Sequence, residues 1–252
     1  MAFAVDPGAY DRFMGRYSEQ LAPQLADLAR VAHGQRAVDV GCGPGALTRE
    51  LVARLGAGSV SAADPSEPFV AAIESRYPGV DVRRATAEQL PFGDDEFDAA
   101  LAQLVVHFMT DPAAGLTEMA RVVRPGGAVA ASVWDFGGGN APLSLFWRVA
   151  CELDPEAPGE GGRPGTNEGQ LTGILTTAGL HGVEEVAHTV EVEYQTFEEW
   201  WDPYTYGVGP AGEYCARLPD ERRVELREAC RKALPPAPFV VTSAAWAAHG
   251  TV

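Results

Sequence analysis

The stretch VDVGCGPGALTREL, from Val38 to Leu51, decides the fold class of this chain. A short apolar run with one acid, Asp39, leads into three glycines in five residues, at Gly41, Gly43 and Gly45, and an amphipathic segment follows. Glycines lack Cβ atoms, so a ligand can lie against the backbone, and a helix start offers unpaired N–H groups. The stretch therefore predicts a strand, a ligand-binding turn and a helix.

Strand-like and helix-like segments alternate on both sides of this stretch. Apolar residues recur at helical spacing over 7–31, and the short runs SVSAAD, VDVRRA, FDAALAQL and AVAASVW stand between amphipathic segments. This alternation predicts an α/β fold, with a mostly parallel sheet and helices on both faces. Beyond Trp134 the pattern predicts a helix over TNEGQLTGILTTAGL capped by Thr166 or Asn167. It also predicts strands at VEEVAHTVEVEY and PFVVTSAAWAAHG, with helical pieces between them.

Composition narrows the class of ligand. The chain has 252 residues, which suits one domain, and a formal net charge of −16. This charge disfavours nucleic acid and membrane surfaces as partners and favours a neutral or cationic small molecule. The four scattered cysteines and the acidic turn Asp94–Glu96 do not suggest a metal site. The start MAFAVDPGAYDRFMGRY lacks the pattern of a secretory signal, so we expect a cytoplasmic protein.

Two carboxylates indicate which ligand the glycine turn binds. About 20 residues after such a turn, dinucleotide folds place an acid that binds ribose hydroxyls, and here that acid is Asp64. Gly41, Gly43 and Ala46 also satisfy the dinucleotide pattern G-x-G-x-x-G/A. Asp39 would be repelled by a pyrophosphate but would attract an ammonium or sulfonium group, and S-adenosylmethionine carries both groups and no phosphate. Asp39 could also cap the glycine turn, and the two roles can coexist.

Four motifs in order resemble the class I S-adenosylmethionine-dependent methyltransferases, in particular the small-molecule group related to ubiquinone and menaquinone methyltransferases. VDVGCGPG resembles the first motif of that family, AADPS its ribose-binding second strand, ATAEQLPFGDDEFDAAL its adenine-side loop and fourth strand, and EMARVVRPGG the turn into its fifth strand. The resemblance covers roughly residues 10–134 well and the remainder loosely. It implies a Rossmann-like, seven-stranded, mostly parallel sheet with an antiparallel last strand and a helical lid.

The resemblance also assigns roles to individual residues. The methionine part of the cofactor would lie against the glycine turn, the ribose at the end of the second strand, the adenine between two loops, and the reactive methyl at the end of the fourth strand. In that order, the implied cofactor-binding residues are Asp39, Gly41, Cys42, Gly43 and Gly45, then Asp64, then Pro65, Ser66, Thr86, Ala87 and Glu88, and finally Gln103 and Leu104. The family often has Asp where this chain has Thr86, so the contact to the adenine amino group lacks a charge here.

Two further sets of residues could act on the substrate. His107 follows the fourth strand and could take a proton from a hydroxyl or amine, although a packed histidine beside Phe108 fits the sequence as well. In the first helix Tyr10 and Tyr17, and in FEEWWDPYTYGVG Trp200 and Trp201, could form a wall for an apolar or aromatic acceptor. Core packing is the alternative for these aromatic residues.

The sequence thus predicts a single methyltransferase domain over 1–252, with a helical cap at 1–33, a cofactor-binding core at 34–136 and a helical lid at 195–237. The predicted reaction moves a methyl group from S-adenosylmethionine to an O, N or C atom of a small molecule. A nicotinamide-dependent oxidoreductase shares the glycine turn and Asp64, and a non-catalytic cofactor-binding protein could have the same fold. The first alternative does not explain Asp39.

Overall fold

A seven-stranded sheet forms the centre of the computed structural model, which describes residues 7–252. The strands are β1 (Ala37–Val40), β2 (Val60–Asp64), β3 (Asp81–Arg84), β4 (Phe97–Gln103), β5 (Val123–Trp134), β6 (His181–Tyr194) and β7 (Phe239–Thr251). Their order across the sheet is β3-β2-β1-β4-β5-β7-β6. Neighbours from β3 to β5 are parallel, whereas β7 runs antiparallel to both β5 and β6. The predicted Rossmann-like sheet with an antiparallel last strand is confirmed.

The helices connect these strands. They are α1 (Pro7–Tyr10), a π-helical turn (Asp11–Gly15), α2 (Arg16–Leu28), α3 (Ala46–Leu55), α4 (Glu67–Arg76), α5 (Pro112–Val122), α6 (Ser144–Leu153), α7 (Gln170–Thr177), α8 (Phe197–Trp201), α9 (Gly209–Arg217) and α10 (Asp220–Ala233). Single 3₁₀ turns lie at Ala57–Ser59, Val106–Phe108 and Asp202–Tyr206.

Helices cover both faces of the sheet because the central strands are apolar on both sides. Every residue of β1 and β2 is buried, as expected for parallel strands between two helical layers. On one face Leu101 of β4 packs in a cluster with Leu25 of α2 and Leu51 of α3. The neighbouring Ala100 points to the opposite face and packs in a cluster with Leu116 of α5. The strand periodicity of two thus separates two hydrophobic layers.

Local sequence sets the start and end of the helices nearest the strand ends. Helix α3 begins after Gly45 at φ +104° and ends at Gly56 at φ +81°, two backbone conformations that favour glycine. Helix α5 begins at Pro112, and its N-cap Asp111 accepts a hydrogen bond from the Ala114 N–H at 3.0 Å. The start of α3 agrees with the helix that the sequence predicts after the glycine turn.

The predicted cap at Thr166 or Asn167 is wrong. Helix α7 begins only at Gln170, because the Thr166 hydroxyl donates to the backbone carbonyls of Gly161 and Arg163 in the preceding loop. The Glu185 carboxylate, from β6, accepts the N–H groups of Gly169 and Thr172 at 2.6 and 2.8 Å instead. Long-range capping of this kind has no local sequence signal.

A third hydrophobic cluster packs on β5, β6 and β7. It joins α1, α2 and the π-helical turn to α6, to β6 and to helices α8–α10. These last three helices occupy the segment between β6 and β7, where the sequence predicts a lid over 195–237. The predicted cap at 1–33 is helical over Pro7–Leu28, and its first six residues lie outside the described part of the chain.

No helix in residues 7–252 combines the length and apolar character needed to cross a bilayer.

Candidate functional site

A cavity of about 390 Å³ lies at the carboxyl ends of β1, β2 and β4. Ligands of open α/β sheets bind at this edge, because loops and helix N-termini converge there. Its wall combines residues from the glycine turn, the strand ends, the first helix and the loop after β4. The lining residues are Tyr10, Ser18, Asp39, Gly41, Cys42, Gly43, Pro44, Ala46, Leu47, Asp64, Pro65, Phe69, Arg84, Thr86, Ala87, Glu88, Gln103, Leu104, Val105, Phe108, Met109 and Thr110.

The three glycines of the turn serve different purposes. A Cβ on Gly41 would lie 2.5 Å from Val105, and a Cβ on Gly45 would lie 2.6 Å from Ile73, so both positions are closed by protein packing. A Cβ on Gly43 would meet no described atom within 4 Å, although Gly43 lines the cavity. Gly43 is thus the glycine whose missing side chain leaves room for a ligand.

Asp64 fixes the turn and the loop after β2 at once. One carboxylate oxygen accepts the Gly43 N–H at 2.9 Å, and the other accepts the Ser66 N–H at 2.8 Å. Burial raises the pKa of Asp64, while these two hydrogen bonds act in the opposite direction. Each carboxylate oxygen can accept a second hydrogen bond, so Asp64 retains acceptor capacity toward the cavity.

Asp39 is a buried acid with one oxygen satisfied. The Thr48 hydroxyl, in the first turns of α3, donates to Oδ2 at 2.6 Å. Oδ1 is buried without a hydrogen-bond partner among the described residues. Burial, and to a smaller extent the nearby Asp64, raise the pKa of Asp39 to about 7, against the opposing hydrogen bond from Thr48. An unpaired buried acceptor beside a cavity favours a ligand that brings a donor or a positive charge.

The end of β4 supplies a second acceptor of this kind. Gln103 donates through Nε2 to the Ser18 carbonyl at 3.0 Å, and its Oε1 is buried with no partner within residues 7–252. The next residue, Leu104, has φ +62°, an uncommon backbone conformation for a branched side chain. Its N–H donates to the Ser132 carbonyl at 2.8 Å, which holds this conformation at the cavity wall.

Thr86, Ala87 and Glu88 also line the cavity. Glu88 accepts the backbone N–H groups of Thr110 and Asp111 at 2.8 and 3.3 Å, so it ties this loop to the start of α5. These hydrogen bonds lower the pKa of Glu88 despite its partial burial.

His107 lies next to a second, narrower cavity rather than in the wall of the first. Its ring lies 3.9 Å from the Phe108 ring, between centroids, and its Nδ1 is buried without a partner in the described part of the chain. Burial, with a smaller effect of Arg163, lowers the pKa of His107 to about 3. The imidazole is therefore neutral at physiological pH and a weak proton acceptor, which favours the packing interpretation over a catalytic base.

Several predicted site residues do not reach either cavity. Gly45 and Ser66 lie just behind the wall, where each supports the backbone of the turn or loop. The structure does not bring Tyr17, Trp200 and Trp201 to the predicted substrate wall, since all three are buried in the third hydrophobic cluster. Tyr17 forms a hydroxyl–hydroxyl contact with Tyr194 at 2.6 Å. Among the four predicted aromatic residues, Tyr10 does line both cavities.

Sequence reasoning missed wall residues that come from distant elements. Phe69 of α4 contacts Tyr10 edge to face, with ring centroids 5.7 Å apart. Ser18 reaches the wall from α2, and Glu160 reaches the second cavity from the loop before α7. The helical spacing of Tyr10 and Tyr17 gives a weak signal for α2, whereas Glu160 stands in a Gly/Pro-rich run and has no local signal.

Metal ligands are not clustered in residues 7–252: no three His, Cys, Asp or Glu side chains converge there. All four cysteines are free thiols. The cavity is thus built from hydrogen-bond acceptors, glycine backbone and apolar walls.

Comparisons with known proteins agree with this geometry. A family described as "Methyltransferase domain" matches residues 38–131. An uncharacterized methyltransferase of Mycobacterium tuberculosis is 33% identical over 184 residues, which cover 73% of this chain and 70% of that protein. A ubiquinone biosynthesis O-methyltransferase of Rhizobium rhizogenes is 46% identical over 103 residues, or 39% of this chain and 41% of the relative.

Solved structures show the same fold. The phosphoethanolamine N-methyltransferase 2 of Haemonchus contortus, solved with phosphomonomethylethanolamine and S-adenosylhomocysteine, aligns with a TM-score of 0.57 at 17% identity. The alignment covers 98% of this chain and 56% of that one. At this identity the likeness concerns the fold alone.

Proposed function

We propose, for a chain that belongs to the S-adenosylmethionine-dependent methyltransferases, that the 390 Å³ cavity binds S-adenosylmethionine and presents its methyl group to a small-molecule acceptor. The observation that carries this proposal is the buried, unpaired Oδ1 of Asp39 at the cavity wall. A nucleotide with a pyrophosphate would bring negative charge to this carboxylate, whereas an ammonium group would bring donors and positive charge.

The acceptors at the wall match the amino-acid end of this cofactor. Asp39 Oδ1 and Gln103 Oε1 both lack partners among the described side and main chains, and both residues line the cavity. An ammonium group has three N–H donors, enough to satisfy both oxygens. The space beside Gly43 leaves room for the methionine chain against the backbone.

The nucleoside end has a matching set of residues. Asp64 would accept hydrogen bonds from the ribose hydroxyls through the lone pairs that Gly43 and Ser66 leave free. Pro65, Ala87 and Met109 offer apolar surfaces on two sides of the cavity, which suits the flat adenine ring. Thr86, at the position where the family often has Asp, would contact the ring edge without a charge.

When bound, S-adenosylmethionine supplies an activated methyl group on a sulfonium, which a nucleophile takes by in-line displacement. The task of this chain is therefore to position two reactants and exclude water. Leu104 lines both cavities and thus stands between the cofactor and the second cavity. Its backbone, at φ +62°, is held in place by the hydrogen bond to the Ser132 carbonyl.

The acceptor class does not transfer from the relatives. The ubiquinone O-methyltransferase matches only 39% of this chain. The net charge of −16 of this chain disfavours nucleic acid as the acceptor and fits a neutral or cationic small molecule.

The test compares two cofactors in one calorimetric titration series. S-adenosylhomocysteine should bind and NAD should not, because only the latter brings a pyrophosphate next to Asp39. A metabolite panel with a labelled methyl donor, read by mass gain, then tests turnover. Binding of NAD but not of S-adenosylhomocysteine would overturn the cofactor assignment, and binding without any turnover would indicate a non-catalytic binding protein.

A further inference from the structure

The narrow second cavity adjoins the cofactor cavity, and Tyr10, Leu104 and Phe108 line both. It lies between the first helical segment, the end of β5, the loop before α7 and the start of α9. Most of its wall is aromatic or aliphatic: Phe13, Met14, Trp134, Phe136, Leu143 and Val208. Its volume is about 40 Å³, so together with the adjoining cofactor cavity it admits the edge of a flat, apolar ring rather than a whole ligand.

Glu160 introduces a carboxyl group into this apolar wall. Only 3% of the residue is exposed. Trp147 of α6 donates its indole Nε1–H to Oε2 at 2.8 Å. The structure records no hydrogen bond to Oε1 from any described residue, although Glu160 lines the cavity. The oxygen left for the cavity is therefore Oε1.

A purely structural role for Glu160 would explain only half of this arrangement. The hydrogen bond from Trp147 needs one acceptor oxygen. A glutamine at this position would supply that oxygen without burying an ionisable group. The second oxygen is an acceptor in an apolar surrounding, and an acceptor placed in this way is satisfied when a ligand brings a donor. His107, 5% exposed, presents a second buried polar group to the same cavity.

We infer that this cavity admits the donor-bearing edge of the acceptor and that Glu160 Oε1 recognises an N–H or O–H group on an otherwise apolar ring. The inference rests on the proposed function for the meaning of "acceptor", but the recognition itself is a property of the cavity. Phenols and aromatic amines are the compounds that combine such a ring with such a donor. Glu160 acts here as a recognition group that contacts the substrate.

The variant Glu160→Gln inverts the hydrogen-bonding character of the group that faces the cavity. The Trp147 indole can only donate, so the amide oxygen of Gln must turn to Trp147. The amide NH₂ then takes the place of Oε1 and presents donors to the ligand. Glu168→Gln, at an exposed position of the same loop before α7, is the matched control.

Phenol and benzonitrile are the two probes, because the first carries a hydrogen-bond donor and the second only an acceptor. Both are titrated calorimetrically into protein saturated with S-adenosylhomocysteine. In the wild-type protein and in Glu168→Gln we expect phenol to bind about tenfold more tightly than benzonitrile, the ratio for one well-placed hydrogen bond. In Glu160→Gln the ratio should fall by about tenfold or more, with unchanged affinity for S-adenosylhomocysteine.

A pH series on the wild-type protein gives a second measurement that needs no variant. Burial raises the pKa of Glu160 to about 7. The fraction of Glu160 that is ionised should therefore increase between about pH 6 and pH 8, and the affinity of the protein for phenol should increase with it. Arg163 is the charged neighbour of Glu160. The neighbouring groups with shifted pKa values stay constant in this range: His107 has a pKa of about 3, Tyr10 of about 12, and the pKa of Tyr204 lies well above its ordinary value. Any pH dependence that persists in Glu160→Gln belongs to Asp39 in the adjoining cavity.

The inference is overturned if the wild-type protein binds both probes equally, or if Glu160→Gln keeps the preference for phenol. Failure of the proposed function would look different. S-adenosylhomocysteine would then not bind, while the phenol preference and its loss in Glu160→Gln would still be measurable in the protein without cofactor.

Discussion

The Thr48 hydroxyl donates to Asp39 Oδ2 at 2.6 Å and leaves the other oxygen of Asp39 buried at the cavity wall. The folded protein thus holds an acid whose pKa is about 7, compared with an ordinary value of 3.8. Because the raised pKa belongs to the folded state, Asp39 lowers stability progressively as pH rises from 3.8 toward 7. The empty protein is destabilised at the pH at which the carboxylate can bind a cation.

Asp39→Asn should therefore have opposite effects on stability and on binding at pH 8. The amide oxygen keeps the hydrogen bond from Thr48, and the loss of the buried charge should raise the melting temperature of the empty protein. S-adenosylhomocysteine should bind about 1–3 kcal/mol more weakly, because the ammonium group loses its ionic partner. Thermal melts and calorimetry at pH 8 and pH 5 check this, since the difference in melting temperature should be clearly smaller at pH 5, where only part of the penalty has developed. A variant that is less stable at pH 8 and binds normally would refute the role of Asp39.

The glycine turn can be tested with a matched pair of alanine variants. Gly43 has φ +52° and Gly182, on the exposed strand β6, has φ +58°, and a Cβ on either residue would meet no described atom within 4 Å. Because alanine is strained at a positive φ, both variants should lose a similar free energy of unfolding, about 1–2 kcal/mol. Only Gly43→Ala should also weaken S-adenosylhomocysteine binding, by about tenfold or more, because its methyl group enters the ligand space. Equal affinities of the two variants in calorimetry would remove Gly43 from the binding surface.

Asp64→Ala should weaken both the fold and the binding of the ribose. The backbone N–H groups of Gly43 and Ser66 lose their acceptor, which weakens the fold. The ribose hydroxyls lose their acceptor as well, so the affinity for S-adenosylhomocysteine should decrease by about 1–3 kcal/mol. Asp94→Ala is the control, since the Asp94 side chain is 75% exposed and pairs with Arg121 at the surface. Adenosine and 2′,3′-dideoxyadenosine separate the two effects in calorimetry. The wild-type protein should prefer adenosine and Asp64→Ala should not, whereas a preserved preference would mean that Asp64 only supports the turn.

The sequence predicts those residues of the site that lie at the carboxyl ends of the strands. In a parallel sheet the carboxyl ends of β1, β2 and β4 meet at one edge, so the positions of Asp39, Asp64 and Gln103 along the chain suffice to place them around one ligand. The sequence could not distinguish Gly43 from Gly41 and Gly45. Which glycine faces a ligand and which faces Val105 or Ile73 depends on contacts between distant elements.

The remainder of the site depends on packing that leaves no local pattern. Glu160 stands in a loop without periodicity, and only its contact with Trp147 and the adjoining wall gives it a role. Helix α9 lies within the helical lid that the sequence predicts over 195–237, but its start has no clear signal, because Gly209 and Pro210 are typical of a turn as well as of a helix start. Aromatic residues such as Trp201 fit a core and a ligand wall equally well in sequence, because both surfaces are apolar.

Trp201→Ala distinguishes these two interpretations of the aromatic segment between β6 and β7. Trp201 is 2% exposed and stacks on Phe197, with ring centroids 6.1 Å apart, and Tyr204 and Phe146 lie on its other sides. Because the surrounding rings cannot fill the lost volume, the truncation should lower the free energy of unfolding by about 3–5 kcal/mol. The affinity of the folded protein for S-adenosylhomocysteine should remain that of the wild type.

Tyr10→Ala is the counterpart, because Tyr10 lines both cavities and contacts Phe69 across the first one. It should weaken binding of S-adenosylhomocysteine and of phenol, with a smaller loss of stability than Trp201→Ala, since Tyr10 is only partly buried. Denaturant unfolding and calorimetry on the two variants give the comparison. If Trp201→Ala instead kept its stability and lost acceptor binding or turnover, the segment would be a wall of the acceptor site, as the sequence predicts, and helices α8–α10 would have to close over the cavity when ligands bind.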